Sequence, residues 1–373
     1  MNIVSSGVLW AGEAGTARAC YTFPSLVELA SGRRIATCRH GSGKDGDDDA
    51  LAVLVDHGDG QGWVSHPGFP PPPDLDGVKG TLKIAYLTEI RPGVVIAAAM
   101  WIDRTSFPGQ PLFNAETEGC LPMAIFLSRS DDDGESWSDW WHVPLPDDIG
   151  PPSLTSPLLL LADGRLAMSI ETNKTYLDTG KWDQKAVLLF SSDEGKSWSQ
   201  PITSAYDPSN QIFNWDLRVG AAPDGRLVSF AWTFDRAAGE YRNIHRRVSA
   251  DGGETWSAPE DLGFADQAAR PAILPDGRVV LAYVDRFGTC SIRARLAENI
   301  DAPFREETEV VLHNQADLAR AETSASLGDA LADMEMWSFG LPTATVLNDG
   351  TVMVLYYAGV SDRMDIRWAL LAP

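Results

Sequence analysis

One motif recurs three times at near-equal spacing and leaves the chain few folds to choose from. It reads Ser-x-Asp-x-Gly-x-[Ser/Thr]-Trp and runs from Ser130 to Trp137, Ser191 to Trp198 and Ser249 to Trp256, so its tryptophans stand about 60 residues apart. That period is longer than most solenoid repeats and close to one four-stranded sheet with its loops. A second repeat runs in phase with the first. Six stretches of alternating apolar residues are each broken by a tight-turn glycine, at Gly32, Gly93, Gly164, Gly225, Gly277 and Gly350. Asp-Gly between β-rich segments is the strongest short-range hairpin signal. Third strands follow, among them MAIFLSRSD, AVLLFSSDE and DIRWALLAP. The last of these closes the chain and leaves the sixth unit one strand short; NIVSSGVLWAGE at the N-terminus is free to supply it.

The expected fold is therefore all-β: a six-bladed β-propeller of four-stranded antiparallel blades, closed by the N-terminal strand joining the last blade. No linker interrupts the repeats, so residues 1–373 read as one domain. Within each motif the Asp carboxylate is expected to accept backbone N–H bonds inside the turn while the indole packs over the sheet. That makes the motif a structural staple before it is a sugar-stacking platform. DHGDGQGW, ending at Trp63, is a degenerate copy in the first unit.

This spaced motif is the Asp box (BNR repeat), and with it the chain resembles the sialidase (neuraminidase) superfamily. The resemblance implies a six-bladed propeller whose site holds three arginines for a sialate carboxylate, a tyrosine nucleophile assisted by a glutamate, and an aspartate acid/base. Residue by residue the match is uneven. YTFP puts Thr22 at the place of the first arginine, counting back from Gly350 puts Leu341 at the place of the tyrosine, and Asp216 of NWDLR lies near the fourth-blade glutamate position. Tyr356 and Tyr357 match the family's Tyr-Glu pair.

The groups expected at the mouth of the ring are nonetheless rich. The loop RHGSGKDGDDD carries Arg39, His40, Asp45 and Asp47 where sialidases place a mobile acid/base loop. A carboxylic acid there could protonate a leaving glycosidic oxygen, and His40 could serve as a base. The competing account of the loop is a solvated acidic turn that binds Ca2+ weakly; no other metal or cofactor is expected. Glu171, Asp216 and Tyr356 complete the catalytic candidates. Arg39, Arg218, Arg236, Arg270 and Arg286, with Trp337 as a stacking surface, form the substrate-binding set, as guanidinium forks hold carboxylates in a bidentate way. Taken singly, the Asp-Arg pairs equally fit salt bridges between blades.

The formal net charge of −22 opposes nucleic acid and anionic membrane surfaces as partners, and no apolar run is long enough to span a bilayer. An oligosaccharide is the expected partner, with a homo-oligomer left open. Cys20, Cys38, Cys120 and Cys290 match no metal motif and, with no export signal recognised, read as free thiols of a cytoplasmic protein. Residues 314–337 carry a helical pattern and read as an insertion between the fifth and sixth units. Together these features point to a glycoside hydrolase of the sialidase-like superfamily acting on the terminal residue of an acidic or polar oligosaccharide. The alternatives are a true exo-sialidase, a uronate-directed polysaccharide lyase and a non-catalytic glycan-binding propeller.

Overall fold

The computed structural model describes residues 1–315, 337–360 and 362–373. The segment expected to be helical, 314–337, lies outside the described residues except at its two ends.

The described chain is all-β, with a single short 3-10 turn at Asp147–Ile149. Its strands fall into sheets built as antiparallel meanders. The second set is the simplest: Gly80–Arg91, Val94–Asp103, Met123–Ser130 and Trp141–Val143 lie side by side in chain order. The third, fourth and fifth sets repeat this plan, with second strands at Leu166–Glu171, Leu227–Asp235 and Val279–Asp285. The first and sixth sets merge into one eight-stranded sheet through a single parallel bridge, Cys20 to Met364. Asn2–Trp10 is the outer strand of the sixth set, paired antiparallel with Arg363–Ala372.

The six predicted turn glycines all have left-handed φ, from 79° to 92°. Glycine adopts that conformation without a Cβ clash, which is why each hairpin turns there. In four of them the preceding Asp side chain accepts the N–H two residues on, as Asp163 does from Arg165 and Asp349 from Thr351.

The apolar core of the described residues falls into seven clusters, six of them each between two consecutive sets of strands and the seventh an aromatic one around Trp215 and Trp232. Ile96 and Met168 share one between the second and third sets, Leu188 and Leu217 one between the third and fourth, and Tyr21 and Leu355 one between the sixth and first. The recurrent motif sits at these seams. Asp193 accepts the Ser197 backbone N–H at 2.9 Å and the Ser191 hydroxyl at 2.8 Å, and the Trp198 indole N–H closes the turn on the Gly195 carbonyl at 3.1 Å. Asp132 and Asp251 accept in the same way, and the Trp256 indole N–H likewise closes on the Gly253 carbonyl, whereas that of Trp137 is buried without a hydrogen-bond partner among the described residues. The motif glycine then meets the neighbouring set: a Cβ on Gly195 would stand 2.8 Å from Leu127 Cδ1, and one on Gly253 2.8 Å from Phe190 Cζ. The motif thus joins adjacent sets, as the staple reading expects. Gly195→Ala is expected to destabilise the protein by about 1–2 kcal/mol, because φ is 88° there and the Cβ also crowds Leu127. Urea unfolding measures this, and an unchanged midpoint would show that the seam yields freely.

Candidate active site

The first strands of all six sets converge on one pocket of about 190 Å³, which takes lining residues from each of them. Local irregularities aim the side chains. Pairing between first and second strands slips at Thr22–Ser25, Leu82–Ile84, Trp215–Arg218 and Gly340–Thr343. Phe23, Asp216 and Leu341 sit in three of these bulges with φ of 52°, 50° and 45°, and all three line the pocket. A bulge turns a strand residue out of the ladder and re-aims it, and a non-glycine residue held left-handed costs about 1–3 kcal/mol. The strain therefore falls on residues that face the site.

Two carboxyl groups meet in the wall. Glu171 ends its strand buried, accepting the Leu217 backbone N–H at 3.2 Å. Burial and, second, the Asp216 charge push its carboxyl up to about 8, so it holds its proton at neutral pH. Asp216 is fixed differently: Oδ2 accepts both Arg218 Nη2 and Gln267 Nε2 at 2.6 Å. Arg218 also bonds the Thr155 carbonyl and, at 3.3 Å, the Tyr86 hydroxyl, whose proton burial holds up to about 12. One wall thus offers a protonated acid beside a carboxylate gripped by a guanidinium.

Cations and rings complete the lining. Asp45 is bonded by Lys83 and by Arg104 at 2.5 Å; burial pushes its carboxyl up, but the two cations outweigh it and hold it well below the usual carboxylate range. Lys44 donates to the Trp337 carbonyl at 2.8 Å and the Tyr357 hydroxyl at 3.3 Å. Arg286 lies 3.9 Å over the Trp337 ring and 5.5 Å from that of Trp232, with Asp266 and Gln267 behind it. Trp182, Trp215 and Trp232 extend the aromatic wall. Among the described residues, the indole N–H groups of Trp232 and Trp337 and Nε of Arg286 are buried without a hydrogen-bond partner. Buried donors of this kind are costly unless something accepts from them.

Of the residues expected from the sequence, Glu171, Asp216, Arg218, Arg286, Trp337 and Asp45 line this pocket. Asp45 is there as the ionised partner of two cations, which corrects its assignment as an acid. The rest go elsewhere. Arg39 is buried behind the first-set loop, spent on Asp49 and the Gly43 carbonyl. His40 follows it on the strand and so points to the other face, where its ring bonds the Ala17 carbonyl and packs on Tyr21. Asp47 is exposed at the loop tip. Tyr356 faces the fifth set and donates to the Leu312 carbonyl at 2.9 Å; the same alternation puts Tyr357 in the pocket instead. Arg236 is paired with Glu118, and Arg270 lies in a separate cavity at the far ends of the first strands. Asp47→Ala and His40→Ala are accordingly expected to change turnover less than threefold, an order-of-magnitude bound from general acid–base effects of about 10²-fold or more. A hundredfold loss in steady-state kinetics for either would return the site to that loop.

Lys83, Tyr86, Trp182, Asp266 and Gln267 were not foreseen. For Lys83 and Tyr86 a signal existed: a lysine inside the apolar run TLKIAYL is a charge that a strand buries only against a partner. Among the described residues, no group of three or more His, Cys, Asp and Glu side chains is placed to hold a metal ion. No described helix is long and apolar enough to cross a membrane.

Comparison with known proteins agrees with the fold. No curated protein matches the sequence. A solved structure of a protein of unknown function from Dyadobacter fermentans superposes with a TM-score of 0.71 at 21% identity, covering 99% of this chain and 98% of that one. The intramolecular trans-sialidase of Ruminococcus gnavus matches with a TM-score of 0.63 at 14% identity, over 100% and 98% of the two chains. The α-L-arabinanase of Penicillium chrysogenum, solved with arabinobiose, gives 0.66 at 14%, again over 100% and 98%. At these identities the likeness is one of fold. The model of the BNR repeat-like domain matches residues 112–354, which span all three motif copies, and the chain therefore belongs to the BNR repeat-like domain family.

Proposed function

We propose that this chain is a single-domain, six-bladed propeller acting as a glycoside hydrolase on the terminal residue of an acidic or polar oligosaccharide. The observation that carries this is the placement of the buried Glu171 carboxyl beside the Arg218-bound Asp216 carboxylate in a pocket walled by tryptophans, a setting that favours the protonated form of Glu171. Glu171 donates its proton to the glycosidic oxygen as the bond breaks. Asp216 takes a proton from the attacking water, using Oδ1, to which no described residue bonds. Trp182, Trp215, Trp232 and Trp337 bury the apolar face of the sugar, while the unpartnered indole N–H groups and Arg286 Nε donate to its oxygens. Lys44, Lys83, Arg218 and Arg286 favour a substrate carrying negative charge.

The six seam clusters support the propeller, since the last joins the sixth set back to the first. Four buried free thiols fit a reducing, cytoplasmic setting. Leucine at position 341, where the resemblance sets a tyrosine, favours a direct attack by water over a covalent tyrosyl intermediate. Mass spectrometry of products from sialate-, uronate- and neutral-sugar-terminated oligosaccharides tests the assignment. A released sugar carrying one added water is the expected result. An unsaturated sugar would mark an elimination, and no product across the panel would mark a binding protein.

A further inference from the structure

Residues 104–122 join the second and third strands of the second set, the longest such link in the described chain; its counterpart in the fifth set is 286–290. Loops of this length are uncommon in compact domains and are chiefly functional. This one does not stay over its own set. It crosses the third, where the Cys120 N–H donates to the Lys174 carbonyl at 3.0 Å, and Asn114 Nδ2 and the Thr117 hydroxyl donate to the Tyr176 carbonyl at 3.1 and 2.7 Å. The Phe107 ring packs on that of Tyr176, and a Cβ on Gly119 would collide with the Thr175 carbonyl. Beyond the third set the loop ends on the fourth. There Arg236 Nη2 donates to both Glu118 carboxylate oxygens, at 2.7 and 2.9 Å, with both partners half-buried.

The loop brings Leu112 and Phe113 into the pocket wall. Phe113 packs both on the core between the second and third sets and on the aromatic cluster of Trp182 and Trp215, so it bridges the aliphatic and aromatic walls. At about 190 Å³ the pocket is smaller than the roughly 300–1,000 Å³ usual for drug-sized ligands, which suits one sugar unit rather than two. Resting on the hydrolase reading above, we infer that Phe113 is a specificity-determining residue that limits the pocket to a single terminal sugar, and that the Glu118–Arg236 pair is the latch that positions it. Cutting residue 113 back to a methyl opens space beside the aromatic wall, where a second sugar finds rings to pack on. The pair acts through the loop and touches no substrate, which gives Arg236 a role although it lies outside the pocket.

Product length reads this directly. Wild type, Phe113→Ala and Glu118→Gln are incubated with the panel oligosaccharide that wild type cleaves, and the released sugars are sized by mass spectrometry. Wild type is expected to release monosaccharide alone. Phe113→Ala should release disaccharide as well, with KM raised about two- to tenfold for one lost aromatic contact and kcat within about twofold. Phe113→Leu keeps the loop packed where the smaller variant fails to fold, and should give the same products in lower yield. Glu118→Gln should move KM the same way by a smaller factor, on the order of twofold, as for a partly exposed ion pair. Acrylamide quenching of tryptophan fluorescence follows the latch without any substrate: Glu118→Gln should quench more steeply than wild type, whereas Arg236→Lys, which keeps the pair, should not. Disaccharide among the wild-type products, identical product lengths for wild type and the Phe113 variants, or equal quenching of wild type and Glu118→Gln overturns the inference and leaves the hydrolase reading in place. No product from wild type overturns the hydrolase reading itself.

Discussion

Glu171→Gln is expected to lower turnover by about 10² to 10⁴-fold while the protein stays folded, since the amide keeps the shape of the side chain and loses the proton it would donate. The wild-type pH profile should carry the same signature. Burial, then the neighbouring Asp216 charge, hold the Glu171 carboxyl up to about 8, so kcat/KM should fall as pH rises through that value and the acid form is lost. Stability offers a readout independent of turnover. A carboxyl whose folded pKa is raised keeps a proton that the unfolded chain releases above about pH 4.3. Its contribution is full below that pH and is lost as pH rises to about 8. Urea unfolding of wild type should therefore show stability declining across this window, and Glu171→Gln should flatten the decline between about 6 and 8. What remains below 6 belongs to Asp266, which burial raises to about 6 against the pull of Arg286. A variant that keeps the wild-type slope would mean that Glu171 is hydrated and already ionised, and the acid would have to be sought elsewhere.

Arg286→Met should be the most destabilising change in the site, by about 3–5 kcal/mol near neutral pH, because it strands the fully buried Asp266 carboxylate. The same variant loses the cation held 3.9 Å over Trp337, so its KM for an acidic substrate should rise as well. Acid partly relieves the first effect: without the Arg286 charge, burial raises the Asp266 carboxyl further than in wild type, so it takes up a proton more readily as pH falls and the stability gap to wild type should narrow. The double variant Asp266→Asn with Arg286→Met separates the two roles. It removes both charges, so most of the lost stability should return while KM stays high. If the double variant is as unstable as the single one, packing on Trp232 and Trp337 is what matters at this position, and the ion pair is incidental.

Both expectations rest on residues whose roles the chain alone conveyed to different degrees. Glu171 and Arg286 were candidates because each follows a hairpin at an equivalent place in the repeat. Nothing in SIET or VDRF tells a buried acid from a solvated one, since the rise of Glu171 comes first from burial in the folded pocket and then from Asp216, 45 residues on in another set. The acidic loop shows the reverse. Asp45, Asp47 and His40 look catalytic in a row, yet Lys83 and Arg104 from the second set neutralise the first, the loop tip exposes the second, and strand alternation turns the third away. Tyr356 and Tyr357 show how narrow the margin is. One step of a period-two pattern decides which hydroxyl reaches the pocket, and the bulges that set this phase lie on the partner strand at Gly340–Thr343.

Local chemistry determined the rest. Turn glycines at fixed intervals, apolar alternation and the Ser-x-Asp-x-Gly-x-[Ser/Thr]-Trp motif are short-range instructions, each satisfied within a few residues, and they were enough to give the meanders, the pairing of the N-terminal strand with the last one, and the staples at the seams. The site is a long-range object. Its proton affinities, ion pairs and facing rings arise only where six first strands converge, because desolvation and Coulomb terms depend on distances between residues far apart in the chain. The tertiary structure therefore decided which of many acidic and basic residues confront one another in one pocket, and which merely stand near the same end of a strand.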